Sequence, residues 1–143
     1  MTETAIPPGW VARASKAFGT HVGPFFEPPN GGVLQCGFLA DERHGNKRGV
    51  VHGGMLATAF DTALGNASWE AAGQKPCATV QLNVHFIGAM KLGEFAIIDS
   101  ETLKTTRSLI FLRGTMRVES RVIATADGVW KILEWRGEPF KPS

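Results

Sequence analysis

The nine residues Asn46-Lys47-Arg48-Gly49-Val50-Val51-His52-Gly53-Gly54 run straight into an apolar stretch of helical character. Two glycines at a helix entrance let a ligand come close to the backbone, and the N–H groups of a first helical turn have no partner inside the helix. Such donors suit an oxygen on which negative charge develops. One donor aimed at a transition-state oxygen is worth on the order of 3 kcal/mol, and the helix dipole adds a smaller term of the same sign. Gly53 and Gly54 also have a plainer use, a tight turn into the helix. No Gly-x-Gly-x-x-Gly follows a strand and no phosphate-loop lysine precedes a Ser or Thr, which disfavours nucleotide binding at this turn.

Asp61 is the first charged residue of the helical stretch, with none after it until Glu70. Thr58, Asp61, Thr62, Gly65, Asn66 and Ser68 make a polar stripe down one helical face. The stripe fits a solvated surface. It also fits a face approached closely by another chain or a ligand, because it is small and nearly uncharged. An Asp partly buried there has its pKa raised by desolvation, as a general base or nucleophile requires. Cys36 and Cys77 stand alone, with no Cys-x-x-Cys and no His pair at ligand spacing nearby, so neither a disulfide framework nor a metal site is expected. His21 and His44 in loops, and His85 on the polar side of a strand, read as surface or satisfied histidines.

The elements that must position these groups follow from period and punctuation. Met55 to Ala72 reads as one proline-free helix about 27 Å long, followed by Gly73. After Pro76 the period falls to two. Val80, Leu82, Val84 and Phe86 alternate with Thr79, Gln81, Asn83 and His85, a half-buried strand with Thr79 and Gln81 on one face. Three further strands are expected over Phe95 to Leu103, Ser108 to Glu119 and Val122 to Leu133, separated by short breaks. Upstream, Gly9 to Gly19 reads as a short helix, Gly23 to Gly32 as a loop, Val33 to Ala40 as a strand and Asp41 to Arg48 as a polar loop. A strand, one long helix and four short-linked strands describe an α+β fold, an antiparallel sheet with the helix on its concave face.

The 143 residues suit one domain, 1–143, with an N-terminal helix and loop over 1–31. The 43% hydrophobic and 20% charged content excludes a disordered, coiled-coil or collagen-like chain. The net charge is only +2, and its basic residues are scattered from Arg13 to Lys141, so nucleic acid is not an expected partner. Met1 to Thr20 lacks the basic start and apolar run of a secretory signal, and no apolar run approaches membrane-spanning length. No membrane association is expected, and a cytoplasmic location is.

His52-Gly53-Gly54, with Asn46 six positions before the His, Asp61 nine after it, and Lys91-Leu92-Gly93-Glu94 in a turn of the β-rich half, resembles the hotdog-fold acyl-CoA thioesterases of the phenylacetate-pathway (PaaI) type. The match runs roughly from Gly32 to Leu133. The resemblance implies a five- or six-stranded sheet wrapped around the long helix, a homodimer with a continuous sheet and shared active sites, and pairing of dimers into a homotetramer. It implies that Gly53 supplies the N–H for the thioester oxygen, with Asn46 and His52 shaping that side of the site. Asp61 of the opposite chain would activate water or attack the carbonyl, and Thr79 would orient the water or the Asp. By position, Gln81, Phe86, Lys104, Arg107, Ser108, Leu109 and Lys131 become contacts of the acyl-CoA substrate. Phe86 stands where the family often has tyrosine, a residue this chain lacks. Coenzyme A enters as part of the substrate, and no separate cofactor or metal is implied. Phe60, Trp69, Phe86 and Phe111 would suit an aromatic or medium-chain acyl tail. A non-catalytic acyl-CoA binding module on the same fold is the alternative, and it would need no carboxylate beside the thioester. A hotdog hydratase generally has His five positions after the Asp, where this chain has Asn66.

Overall fold

The computed structural model describes residues 6–136. Its one long helix, α2 (Gly53–Ala71), follows a short N-terminal helix, α1 (Phe18–Val22). The strands are β1 (Val11–Ala12), β2 (Phe25–Glu27), β3 (Gln35–Leu39), β4 (Cys77–Phe86), β5 (Phe95–Thr105), β6 (Leu109–Val118) and β7 (Arg121–Ile132). They form a seven-stranded sheet in the order β1-β2-β3-β5-β6-β7-β4, with every pairing antiparallel. The sheet wraps α2 in the hotdog arrangement, and the helix lies against β4, β5 and β6.

The apolar face of α2 carries Leu56, Ala59, Phe60, Ala63, Leu64 and Ala67, all at most 3% exposed. They meet Phe38, Ile98, Ile110, Leu112, Met116, Ile123 and Trp130 from the sheet. Burying a side chain such as Leu64 or Phe60 contributes about 1.5–3 kcal/mol. The helix begins two residues before the expected Met55, because His52 acts as its N-cap with Nδ1 accepting from Gly54 N–H at 2.8 Å.

The N-terminal third departs from its sequence reading. The helix expected over Gly9 to Gly19 is absent; Val11 and Ala12 pair instead with Glu27 and Phe26. The only helix of that segment is the five-residue α1. Sheet contacts override the weak helical period: Arg13 N–H donates to Phe25 O at 2.7 Å, and Trp10 packs edge-on to Phe95 at 5.4 Å. The stretch expected to be a loop, Gly23 to Gly32, contains β2, because Phe25 and Phe26 are both buried between the prolines. These two strands cover the open edge of β3, so the sheet has seven strands rather than five or six. The polar loop contains a 3-10 turn, Glu42–His44.

At the other edge, β4 pairs with β7 on one side only. Its register slips between Thr79 and Gln81, so that Thr79 lies opposite Trp130 and Gln81 opposite Val129. The bulge turns Thr79 onto the helix-facing side of the sheet, although the alternation places it with Gln81 on the other face. Gly128 makes the irregularity possible: a Cβ there would lie 2.4 Å from Gln81 O and 2.7 Å from the Trp130 ring.

Candidate active site

The loop before α2 is built around Asn46. Its Oδ1 accepts from Arg48 N–H at 2.8 Å and Val50 N–H at 3.4 Å, its own N–H donates to Val50 O at 2.8 Å, and its carbonyl receives Gly49 N–H at 3.1 Å. Gly49 takes the left-handed conformation, φ +79°, that the turn requires. Two further bonds aim the helix start: Val51 N–H donates to Met90 O at 2.9 Å and His52 N–H to His44 O at 2.8 Å.

The first-turn donors of α2 are nearly all taken. Gly54 N–H goes to His52 Nδ1, and Met55 and Leu56 N–H go to His52 O. Gly53 N–H has no acceptor among the described residues. Because His52 Nδ1 is an acceptor, the ring proton sits on Nε2, a second donor on the exposed side. The Phe86 ring lies over Gly53, where an added Cβ would touch it at 3.4 Å. Asn46, Gly53 and Phe86 border a cavity of about 330 Å³ with Arg48, Val50, Val51, Leu56 and Met90 also in its wall. His52 borders a neighbouring depression with Asn46, Lys47 and Arg48.

Asp61 lies elsewhere. Thr79 Oγ1 donates to its Oδ1 at 2.7 Å, an approach that the β4 bulge permits. The partial burial expected of Asp61 is not found in the single chain: the residue is exposed, because among the described residues β4 is an edge strand with no strand beyond it. Asp61 is eight positions along α2 from Gly53, a rise of about 12 Å. Thr79 and Phe86 stand at opposite ends of β4, seven residues or roughly 23 Å apart. Within one chain, the pair Asp61–Thr79 and the group Asn46, His52, Gly53 and Phe86 are therefore separate.

The residues carried over as coenzyme A contacts scatter further. Arg107, Ser108 and Lys131 line one cleft of about 690 Å³, together with Lys75, Glu134, Trp135 and Arg136. Lys104 lies within β5 opposite Phe111, and Leu109 is bound into the turn by both its N–H and its C=O to Thr106. Neither lines the cleft. Gln81 is on the outer sheet face beside Val129. Nothing local in the sequence marks Lys75, Trp135 and Arg136 as neighbours of these residues; strand order alone brings the start of β4, the β5–β6 turn and the end of β7 to one place.

Of the aromatic residues considered for an acyl group, only Phe86 borders the smaller cavity. Phe60 is fully buried in the core, and Phe111 projects from the outer side of β6, opposite in direction to Ile110 and Leu112. His44 is a satisfied buried histidine: Nδ1 accepts from Asp41 N–H at 3.0 Å and Nε2 donates to Val22 O at 2.7 Å. Burial pushes the Cys36 thiol up to about 12, which leaves it protonated and inert at neutral pH. Among the described residues, no group of three or more His, Cys, Asp or Glu side chains could hold a metal ion.

Known proteins share this framework. Acyl-coenzyme A thioesterase 13 of Mus musculus is 32% identical over 78 residues, 54% of this chain and 56% of its own. The crystal structure of zebra fish thioesterase superfamily member 2 superposes with a TM-score of 0.65 at 28% identity, covering 68% of this chain and 72% of that one. A Streptococcus mutans protein solved with acetyl-CoA shares the fold, with a TM-score of 0.64 at 19% identity over 72% of this chain and 82% of its own. Residues 48–125, which include Gly53, Asp61 and Thr79, match the thioesterase superfamily over more than half of the chain, and the chain belongs to that family.

Proposed function

We propose that the protein is an acyl-CoA thioesterase of the phenylacetate-pathway type, acting as a homodimer in which Gly53 of one subunit and Asp61 of the other work on the same thioester. The observation that carries this reading is the split of complementary groups: an unpartnered helix N–H beside a cavity, and a Thr-bound carboxylate exposed at an open sheet edge. Antiparallel pairing of two β4 strands about an axis at Asn83 closes that gap. Thr79 is four residues before the axis and Phe86 three after it, and the bulge absorbs the extra residue. Thr79 and its Asp61 then come opposite Phe86 and Gly53 of the partner subunit, all on the helix-facing side. The exposed apolar residues at this edge, Val80, Phe86 and Ile87, favour such pairing.

In the closed site the thioester carbonyl accepts from Gly53 N–H, with the positive end of α2 behind it. Oδ1 of Asp61 is held by Thr79, which leaves Oδ2 to take a proton from water as the water oxygen bonds to the carbonyl carbon. The C–S bond then breaks, the acid is released, and the proton passes to the departing thiolate. Attack by Oδ2 itself, through an anhydride that water then opens, uses the same geometry. The cleft of Lys75, Arg107, Lys131 and Arg136 suits the phosphates of coenzyme A, and Trp135 offers a flat apolar surface for its base.

The test is hydrolysis of a panel of short, long and aryl acyl-CoA esters by wild type and Asp61→Asn. Loss of the carboxylate should lower kcat by about two orders of magnitude or more while coenzyme A ester binding is kept. Near-normal turnover in the variant would sink the mechanism. Binding without hydrolysis by the wild type would indicate a sensing module instead.

A further inference from the structure

Five of the eight arginines face a carboxylate: Arg13 with Glu27, Arg43 with Asp41, Arg113 with Glu101, Arg117 with Asp99 and Arg121 with Glu94. Among the described residues, Arg48, Arg107 and Arg136 have no such partner, and all three line cavities. Arg107 and Arg136 share the larger cleft with two lysines, as a ligand with several phosphates would require. Arg48 is different. It is the one cation bordering the 330 Å³ cavity at the start of α2, where Val50, Val51, Leu56, Phe86 and Met90 make the wall largely apolar. A single guanidinium beside apolar walls matches a ligand with an apolar body and one negative group.

The backbone of Arg48 is held in place. Its N–H is fixed by Asn46 Oδ1, and the next residue, Gly49, closes the turn onto Asn46 O. The braced turn fixes where the side chain starts, and apolar walls strengthen a contact between its guanidinium and an anion relative to open water.

We propose that Arg48 selects the acyl group, so that the preferred substrate is the thioester of a dicarboxylic acid whose free carboxylate lies at the far end of a short chain or ring. This inference rests on the thioesterase reading. The thioester carbonyl sits at Gly53 N–H, the hydrocarbon part lies against Leu56 and Phe86, and the terminal carboxylate meets the guanidinium. Hydrolysis leaves that carboxylate unchanged, so the contact acts equally in ground and transition states and is felt in KM rather than kcat.

The experiment compares kcat/KM for two CoA thioesters of equal length, one ending in methyl and one in carboxylate, with wild type, Arg48→Gln and Arg48→Lys. The same two acyl groups are then presented on N-acetylcysteamine, which lacks the nucleotide and its phosphates. Wild type should favour the carboxylated ester by about tenfold or more, Arg48→Gln should bring the ratio near one, mainly through KM, and Arg48→Lys should restore part of it. The preference should persist on N-acetylcysteamine. A wild-type ratio near one overturns the proposal, as does a ratio unmoved by Arg48→Gln. So does a loss confined to the CoA esters, which would assign Arg48 to a carrier phosphate. In each of those outcomes hydrolysis continues and the thioesterase reading stands; failure to hydrolyse any of the four esters removes both.

Discussion

Replacing Gly53 with proline deletes one atom group of interest, the N–H without a partner, from a place that tolerates the change. Proline is favoured at the first position of a helix, where its missing donor breaks no helical bond. His52 before it has φ −62° and ψ 137°, the extended conformation that a residue preceding proline prefers. The new Cβ would meet the Phe86 ring at 3.4 Å, an ordinary van der Waals contact. Folding should therefore survive, with a thermal midpoint equal to or slightly above wild type because the unfolded chain loses freedom. Catalysis should not survive. One donor to a developing oxyanion is worth on the order of 3 kcal/mol, and each 1.36 kcal/mol is a factor of ten, so kcat should fall by roughly two orders of magnitude. Gly53→Ala keeps the N–H and places the same Cβ, so it separates loss of the donor from added bulk at that atom. The assay is steady-state hydrolysis of an acyl-CoA ester, with thiol release followed by a chromogenic reagent and thermal unfolding measured on the same samples. If Gly53→Pro is folded and its kcat stays within about threefold of Gly53→Ala, the helix start does not stabilise the transition state, and the reasoning from the unpartnered donor fails.

Two further outcomes follow from the same geometry. Gly53→Pro and Asp61→Ala should each be nearly inactive as homodimers, but equal amounts refolded together should recover roughly a quarter of wild-type activity, because half the dimers are mixed and each mixed dimer has one intact site of two. No recovery, with subunit exchange confirmed by mass, would place Gly53 and Asp61 of one chain in one site. Arg107→Ala should weaken binding of a full CoA ester more than that of a short thioester lacking the nucleotide, and added salt should shrink the difference; equal losses on both would mean that the cleft cations are surface charge.

Much of the scaffold was legible in the residue pattern because its causes are local. The proline-free apolar run of α2 marks a helix whatever it packs against, yet Asn66 and Ser68 of the expected polar stripe are buried. The two-residue alternation of β4 marks a strand, although Val80 and Phe86 on its apolar side stay exposed at the sheet edge. The helix entrance was readable to within two residues from its paired glycines, whereas the start at Gly53 and the cap role of His52 came only from the 2.8 Å bond between Gly54 N–H and His52 Nδ1. In the N-terminal third local pattern and tertiary contact disagree: Trp10 and Phe26 pack on Phe95, 85 and 69 positions further along the chain, and Phe25 and Phe26 pair with β3. Thr79 shows the limit most clearly. Alternation puts it on the same face as Gln81, and only the slip opposite Val129 and Trp130 turns it toward Asp61. Likewise the cleft of Lys75, Arg107, Lys131 and Arg136 comes from three chain segments that meet because β7 lies between β6 and β4. Residue spacing determined that a helix entrance and a carboxylate existed on one helix. The tertiary structure decided what each one faces, the helix entrance beside Phe86 and the 330 Å³ cavity and Asp61 beside Thr79 at the sheet edge, because strand order and the β4 bulge, not residue spacing, set their neighbours.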